Sequence, residues 1–337
     1  ALTFHYICIM RYSVVRQTPL SSLLTLVIVA TVAFVRFARA PFGDEMLVGA
    51  EAPILGTLVD SWQSAHPIAA IVLSAILAVF TGVVVGRMTI LFSLYPMHCF
   101  FSIPLYGFVA CGIFISTTSL SVALGAYLAA LAMRYLSGAY VRGMDMSKLM
   151  YAGVCVGLVP MLYAPAVYVL PLAVIAVMMF GFSLREILVL FAGILLGPLA
   201  ICYLTWFLGG EFVAPVDMFI DALTCQSGYT LGGSDSVVAL AAVGVYSFVM
   251  LCSAAMFLAD KHSVGVKPRG ILMFNIVSFV LACAAFLLPS ATVGLFAFAA
   301  LPAAVIMPIM FLRMRETLSL ALYSLIVLVF FLHLFVQ

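Results

Sequence analysis

The chain has 337 residues, 66% apolar and 8% charged, with a mean hydropathy of +1.31. A soluble domain carries about 25% charged residues. No water-soluble fold of this length hides so much apolar surface, so a bilayer must take it up. The 14 Lys and Arg nearly cancel the 12 Asp and Glu, which removes the basic face that nucleic-acid binding requires.

A membrane span needs about 20 mostly apolar residues. In chain order the clearest runs are Leu20–Phe37, Pro67–Gly86, Phe100–Ile115, Leu120–Leu136, Ile187–Leu208, Ser236–Leu258, Ile271–Leu288, Thr292–Leu312 and Thr317–Val336. Arg11 and Arg16 precede the first run and no small-residue cleavage site follows, so a retained helix is expected there. Met88–Cys99 is apolar but short and carries Pro96, which suits an interfacial or broken helix. Leu149–Phe182 is too long for one crossing and holds Pro160, Pro165 and Pro171, so it reads as two short helices turning near Tyr163. The expected fold is an all-α polytopic transmembrane bundle of about eleven spans, ten to twelve. No gap holds a soluble domain, so 1–337 forms one transmembrane domain. Most of the eight cysteines sit in apolar runs without metal-ligand spacing, as small hydrophobes do.

The charges orient the layout. With the amino terminus cytoplasmic, Arg11, Arg16, Arg87, Arg134, Arg142, Lys148, Arg185, Lys261, Lys267, Arg269, Arg313 and Arg315 fall inside, leaving only Arg36 and Arg39 outside. That asymmetry is what the positive-inside tendency predicts. Eight acids lie in two outer loops: Asp44, Glu45, Glu51, Asp60, Glu211, Asp217, Asp221 and Asp235. The spans themselves are almost free of ionisable residues, which disfavours an ion-coupled transporter.

These outer loops hold the candidate chemistry. Gly43 can break the chain before a short helix whose Asp44 and Glu51 share one face at i, i+7 spacing, near Arg36 and Arg39, with Pro53 limiting its length. The same residues also read as a solvated loop whose arginines bind lipid phosphate. In the second loop Asp217 and Asp221 stand four apart and can share a helical face. A carboxylate cluster there can hold a divalent cation or sugar hydroxyls, and a glycine-containing connector is the plainer alternative. His66 opens the second span level with the acidic loop, placed to bind phosphate or to cap the helix.

Several segments in order resemble the polyprenyl-phosphate-sugar-dependent glycosyltransferases of the GT-C superfamily. Gly43-Asp44-Glu45 after the first span resembles that group's Asp-Glu pair, His66-Pro67 its His-Pro, and Gly86-Arg87 its helix end. Ala152-Gly-Val-Cys-Val-Gly-Leu-Val-Pro-Met-Leu-Tyr-Ala-Pro-Ala166 resembles its short glycine-bearing helix and turn. The resemblance covers about 1–210, a GT-C-like module, with 211–337 as additional membrane helices. The chain also resembles small integral membrane proteins of Bacteroidota.

The resemblance implies sugar transfer from a lipid-phosphate donor to an acceptor on the extracytoplasmic side of a bacterial inner membrane. Asp44 would be the general base, Glu45 or Glu51 would orient the acceptor or a divalent cation, and Arg39 and His66 would stabilise the departing phosphate. Asp217 and Asp221 would contact substrate. The expected partners are membrane lipid and the lipid-linked sugar, with protein partners in the membrane under the second reading. Two other readings stand beside this one: a non-catalytic subunit of an envelope complex, and a translocator of lipid-linked substrate.

Overall fold

A computed structural model of the protein describes residues 18–39, 53–96, 99–114, 120–143, 145–225 and 237–336. The described residues are mostly helical, with no strand among them. In chain order the helices are α1 (Pro19–Arg39), α2 (Ile54–Ala65), α3 (Pro67–Leu91), α4 (Ser102–Phe114), α5 (Leu120–Arg142), α6 (Met146–Leu162), α7 (Val169–Phe180) and α8 (Leu184–Phe207). They continue as α9 (Ala214–Thr224), α10 (Val237–Ala259), α11 (Val266–Ala285), α12 (Leu295–Ile306), α13 (Pro308–Arg313) and α14 (Glu316–Val336). Six stretches are long and apolar enough to cross a membrane: α3, α5, α8, α10, α11 and Leu295–Arg313, which joins α12 and α13. Shorter apolar helices accompany them. This is a membrane protein.

Local chemistry explains several boundaries. Pro67 sits at the first position of α3, where a missing N–H costs nothing. Gly181 ends α7 in the left-handed region, φ 64 and ψ 42, which glycine adopts freely. Glu186 reaches back to the Ser183 amide at 2.6 Å, and the Ser183 hydroxyl donates to the same carboxylate at 2.8 Å, so the start of α8 is fastened. Between Leu149 and Phe182 the chain turns at Tyr163, through a 3₁₀ segment Ala164–Tyr168 that carries Pro165.

Two runs differ from the sequence reading. Met88 lies inside α3, which continues to Leu91, so no separate helix spans Met88–Cys99 among the described residues. The run Thr292–Leu312 is broken, because Pro308 cannot donate to the carbonyl of Ala304. Close to this break the Tyr95 hydroxyl donates to the carbonyl of Val305, and the Ser253 hydroxyl donates to that of Met307 at 3.1 Å. Irregular backbone at membrane depth persists only where protein groups satisfy it in this way.

The core is assembled around α12, with 89% of the most apolar window of Leu295–Arg313 buried. In α8 the corresponding share is 28%, and Leu188, Leu195, Leu199 and Leu204 are exposed. Such a face suits hydrocarbon. The most extensive helix pair is α6 with α8, and glycine makes it close. Gly153 and Gly157 of α6 meet Gly193 and Gly197 of α8 so tightly that an added Cβ at Gly153 would lie 2.3 Å from the Leu190 carbonyl oxygen. This is small-residue packing at four-residue spacing on both partners, the route by which backbones approach in lipid. Gly82 and Gly86 of α3 do the same for Leu26 of α1 and Ile103 of α4.

The two ends of the bundle are tied differently. At the start of α5 stands α2, whereas the last turn of α5 receives the Lys267 ammonium on the Val141 carbonyl at 2.6 Å. Asp145 caps α6, accepting from the Lys148 amide at 3.4 Å and pairing with its ammonium. That side-chain bond, with the amide and charge of Lys148, holds the Asp145 carboxyl below its ordinary value of 3.8. A depressed carboxylate contributes stability that is fully present above the unfolded value and disappears as pH falls through the folded one. Thermal melts of Asp145→Asn should therefore fall below wild type at neutral pH and converge with it under acid.

Candidate functional site

The end of the bundle marked by α2 and α9 carries the described candidate residues His66, Asp217 and Asp221. α2 is amphipathic. Its Val59 packs on the cluster of Ala70, Leu77 and Leu120, while Leu58 and Trp62 are exposed. Gln63 accepts from the Leu120 amide at 2.8 Å, and Asp60 accepts from the Ser121 hydroxyl at 3.3 Å. One of the N–H groups that open α5, that of Leu120, is thus answered from a neighbouring helix. Of the acids in the outer loops, Asp60 holds the Ser121 hydroxyl beside it. Gln63→Ala should lower stability by about 1 kcal/mol, the usual cost of a lost cap. The check is thermal unfolding beside His66→Ala, whose ring makes no cap bond and whose loss should leave the melt unchanged.

His66 joins α2 to α3 and is exposed, with its ring centroid 5.6 Å from that of Trp62. Its backbone bridges the helices, donating to Trp62 and accepting from Ala70. The capping role open to its side chain in the sequence is not taken.

The second acidic segment is a helix. α9 follows the Gly209-Gly210 turn, begins with Pro215 in its first turn, and packs against α8, the 3₁₀ segment and α2. Pro215 and Ala222 are buried, so Asp217 and Asp221 stand on the exposed side, Asp217 in the first turn where a carboxylate complements the helix dipole. The contact of α9 with α2 brings Asp217 and Asp221 to the same end as His66. Among the described residues no hydrogen bond or ion pair joins these three, and no group of three His, Cys, Asp or Glu side chains forms a metal site.

Beneath this end lies a buried polar contact that sequence reasoning missed. The Tyr163 hydroxyl is 2.6 Å from that of Thr292, and its ring stacks on Phe298 at 5.6 Å. Two residues before Thr292, the buried Ser290 hydroxyl has no partner. Only the fold brings the Tyr163 turn and the segment before α12 together, and neither residue carries a motif.

Asp44, Glu45 and Glu51 lie outside the described residues. Arg39 is the last residue of α1, and its side chain is also outside them. No family model, curated protein or solved structure matches this chain.

Proposed function

We propose that the chain is a GT-C-like membrane glycosyltransferase with about eleven crossings and a cytoplasmic amino terminus. Six long apolar stretches, together with α1, α4, α6, α7 and α14, make up that count. The basic residues near Lys148, Lys267 and Arg313 then face the cytoplasm, and α2 and α9 lie at the opposite interface.

One observation carries the catalytic reading. Two short amphipathic helices meet at one end of an apolar bundle, presenting His66, Asp217 and Asp221 beside exposed Leu58 and Trp62. A lipid-phosphate sugar needs such a border, apolar for its chain and polar for its head. In the proposed step the acceptor hydroxyl oxygen attacks the anomeric carbon, and the bond from that carbon to the phosphate oxygen breaks. The proton passes to Asp44, and the polyprenyl phosphate departs with the bonding electrons. Glu45 or Glu51 orients the acceptor, Arg39 and His66 stabilise the phosphate as charge develops there, and Asp217 and Asp221 accept hydrogen bonds from sugar hydroxyls. Among the described residues Asp217 and Asp221 provide two carboxylates, and no third His, Cys, Asp or Glu joins them. Sugar transfer by the reconstituted protein, and its loss in Asp44→Asn, is the test.

A second reading, a non-catalytic subunit, is supported by an open apolar groove along α14 lined by Tyr323, Val327, Leu328, Phe331 and Leu332. It predicts a stoichiometric partner on mild extraction, with Asp44 and Glu51 dispensable.

A further inference from the structure

The bundle end away from α2 and α9 is basic. Across 260–269 and 313–316, Lys261, Lys267, Arg269, Arg313 and Arg315 face only two carboxylates, Asp260 and Glu316. Two of these cations have structural tasks. Lys267 closes the last turn of α5 through the Val141 carbonyl, and Arg313 donates to Met256 at 2.7 Å while pairing with Asp260 at 3.1 Å.

Arg269 differs. Its guanidinium lies 3.3 Å from Nδ1 of His262, so its side-chain partner is a second base and not an acid. A guanidinium only donates, which makes Nδ1 the acceptor and puts the proton of the neutral ring on Nε2. The Nε2–H and the remaining guanidinium N–H groups are then free to donate outward, and Lys261 is exposed beside them. The first turn of α11 contains no acid, and its cap residue Gly265 has no side chain to contribute. Asp260, the adjacent acid, is taken by Arg313, so this group of donors has no carboxylate partner among the described residues. Apolar side chains border it on the two helices it joins, with Leu258 44% and Val266 69% exposed. A soluble phosphate has no use for that border, whereas a lipid headgroup does.

We propose that Lys261, His262 and Arg269 form a binding site for the phosphate of an anionic phospholipid. The acyl chains lie along the exposed apolar faces of α10 and α11. The site is independent of the proposed sugar transfer, being at the other end of the bundle.

The test uses the full chain reconstituted with equal phosphatidylcholine and phosphatidylglycerol, extracted mildly, with the retained lipids counted by native mass spectrometry. Phosphatidylglycerol should be retained preferentially. Each Lys or Arg at a lipid surface is worth about a factor of five, so Lys261→Gln with Arg269→Gln should cut the preference about twenty-five-fold. Should that double variant fail to fold, Lys261→Gln alone should show about a fivefold loss. Arg269→Lys keeps the charge and should keep most of the preference. Arg185→Gln removes a cation at the start of α8 and should leave it intact. Equal retention of both lipids by the wild type, or the same loss in Arg185→Gln as in the double variant, overturns the proposal. Displacement of phosphatidylglycerol by inorganic phosphate would assign the site to a soluble anion and overturn it as well.

Discussion

Gly157→Ala should destabilise the protein by about 3 kcal/mol or more, at the upper end of overpacking costs. A Cβ at this position would sit 2.2 Å from the Ile194 carbonyl oxygen and 3.1 Å from Pro198 Cδ. The obstructing atom is backbone, so no rotamer change relieves it and α6 must move away from α8. Opposing this is the intrinsic preference of helices for alanine over glycine, about 1 kcal/mol. The clash wins. Gly244 of α10 provides the contrast, because nothing lies within 4 Å of a Cβ built there. Gly244→Ala should leave the melting temperature unchanged or raise it. Thermal unfolding of the two variants in the same detergent distinguishes the effects, and a wild-type melt for Gly157→Ala would refute the close α6–α8 approach.

Asp44→Asn should lower sugar transfer by about 10²–10⁴-fold, the usual contribution of a positioned general base. The amide keeps the size of the carboxylate and loses its ability to take the acceptor proton. The effect should therefore appear in kcat, with KM for the lipid-linked donor little changed, since donor binding is assigned to Arg39, His66 and the apolar border. His66→Ala should show the complementary pattern, a smaller loss of rate with weakened donor binding. Transfer at wild-type rate in Asp44→Asn would remove the enzymatic reading and leave the subunit reading in its place.

Helix positions were largely legible in the residues. Pro67, Leu120 and Val336 bound both the apolar runs and the helices α3, α5 and α14, because the length of an apolar run is a local property. The turn at Tyr163 was legible for the same reason, with Pro160, Pro165 and Pro171 in one stretch. Pro53 limits the expected helix holding Asp44 and Glu51, which lies outside the described residues; in the structure Pro53 stands at the residue before α2. The break between α12 and α13 has Pro308 as its local signal, but Pro302 stands inside α12 without breaking it, so proline alone did not locate the break.

The candidate site was less legible. The shared face of Asp217 and Asp221 follows from their spacing, and α9 realises it. That Asp60 and Gln63 serve the start of α5 depends on residues about 60 positions apart meeting, which no local pattern encodes.

The amino-acid order alone was enough for a helical membrane protein, through the excess of apolar residues that only hydrocarbon can accommodate. The pairing of Gly153 and Gly157 with Gly193 and Gly197 needed the folded chain. So did the hydroxyls that donate to carbonyls close to the Pro308 break, and the meeting of α2 with α9. Run length and flanking charge act along the chain, whereas close approach and hydrogen-bond satisfaction depend on which surfaces meet across it.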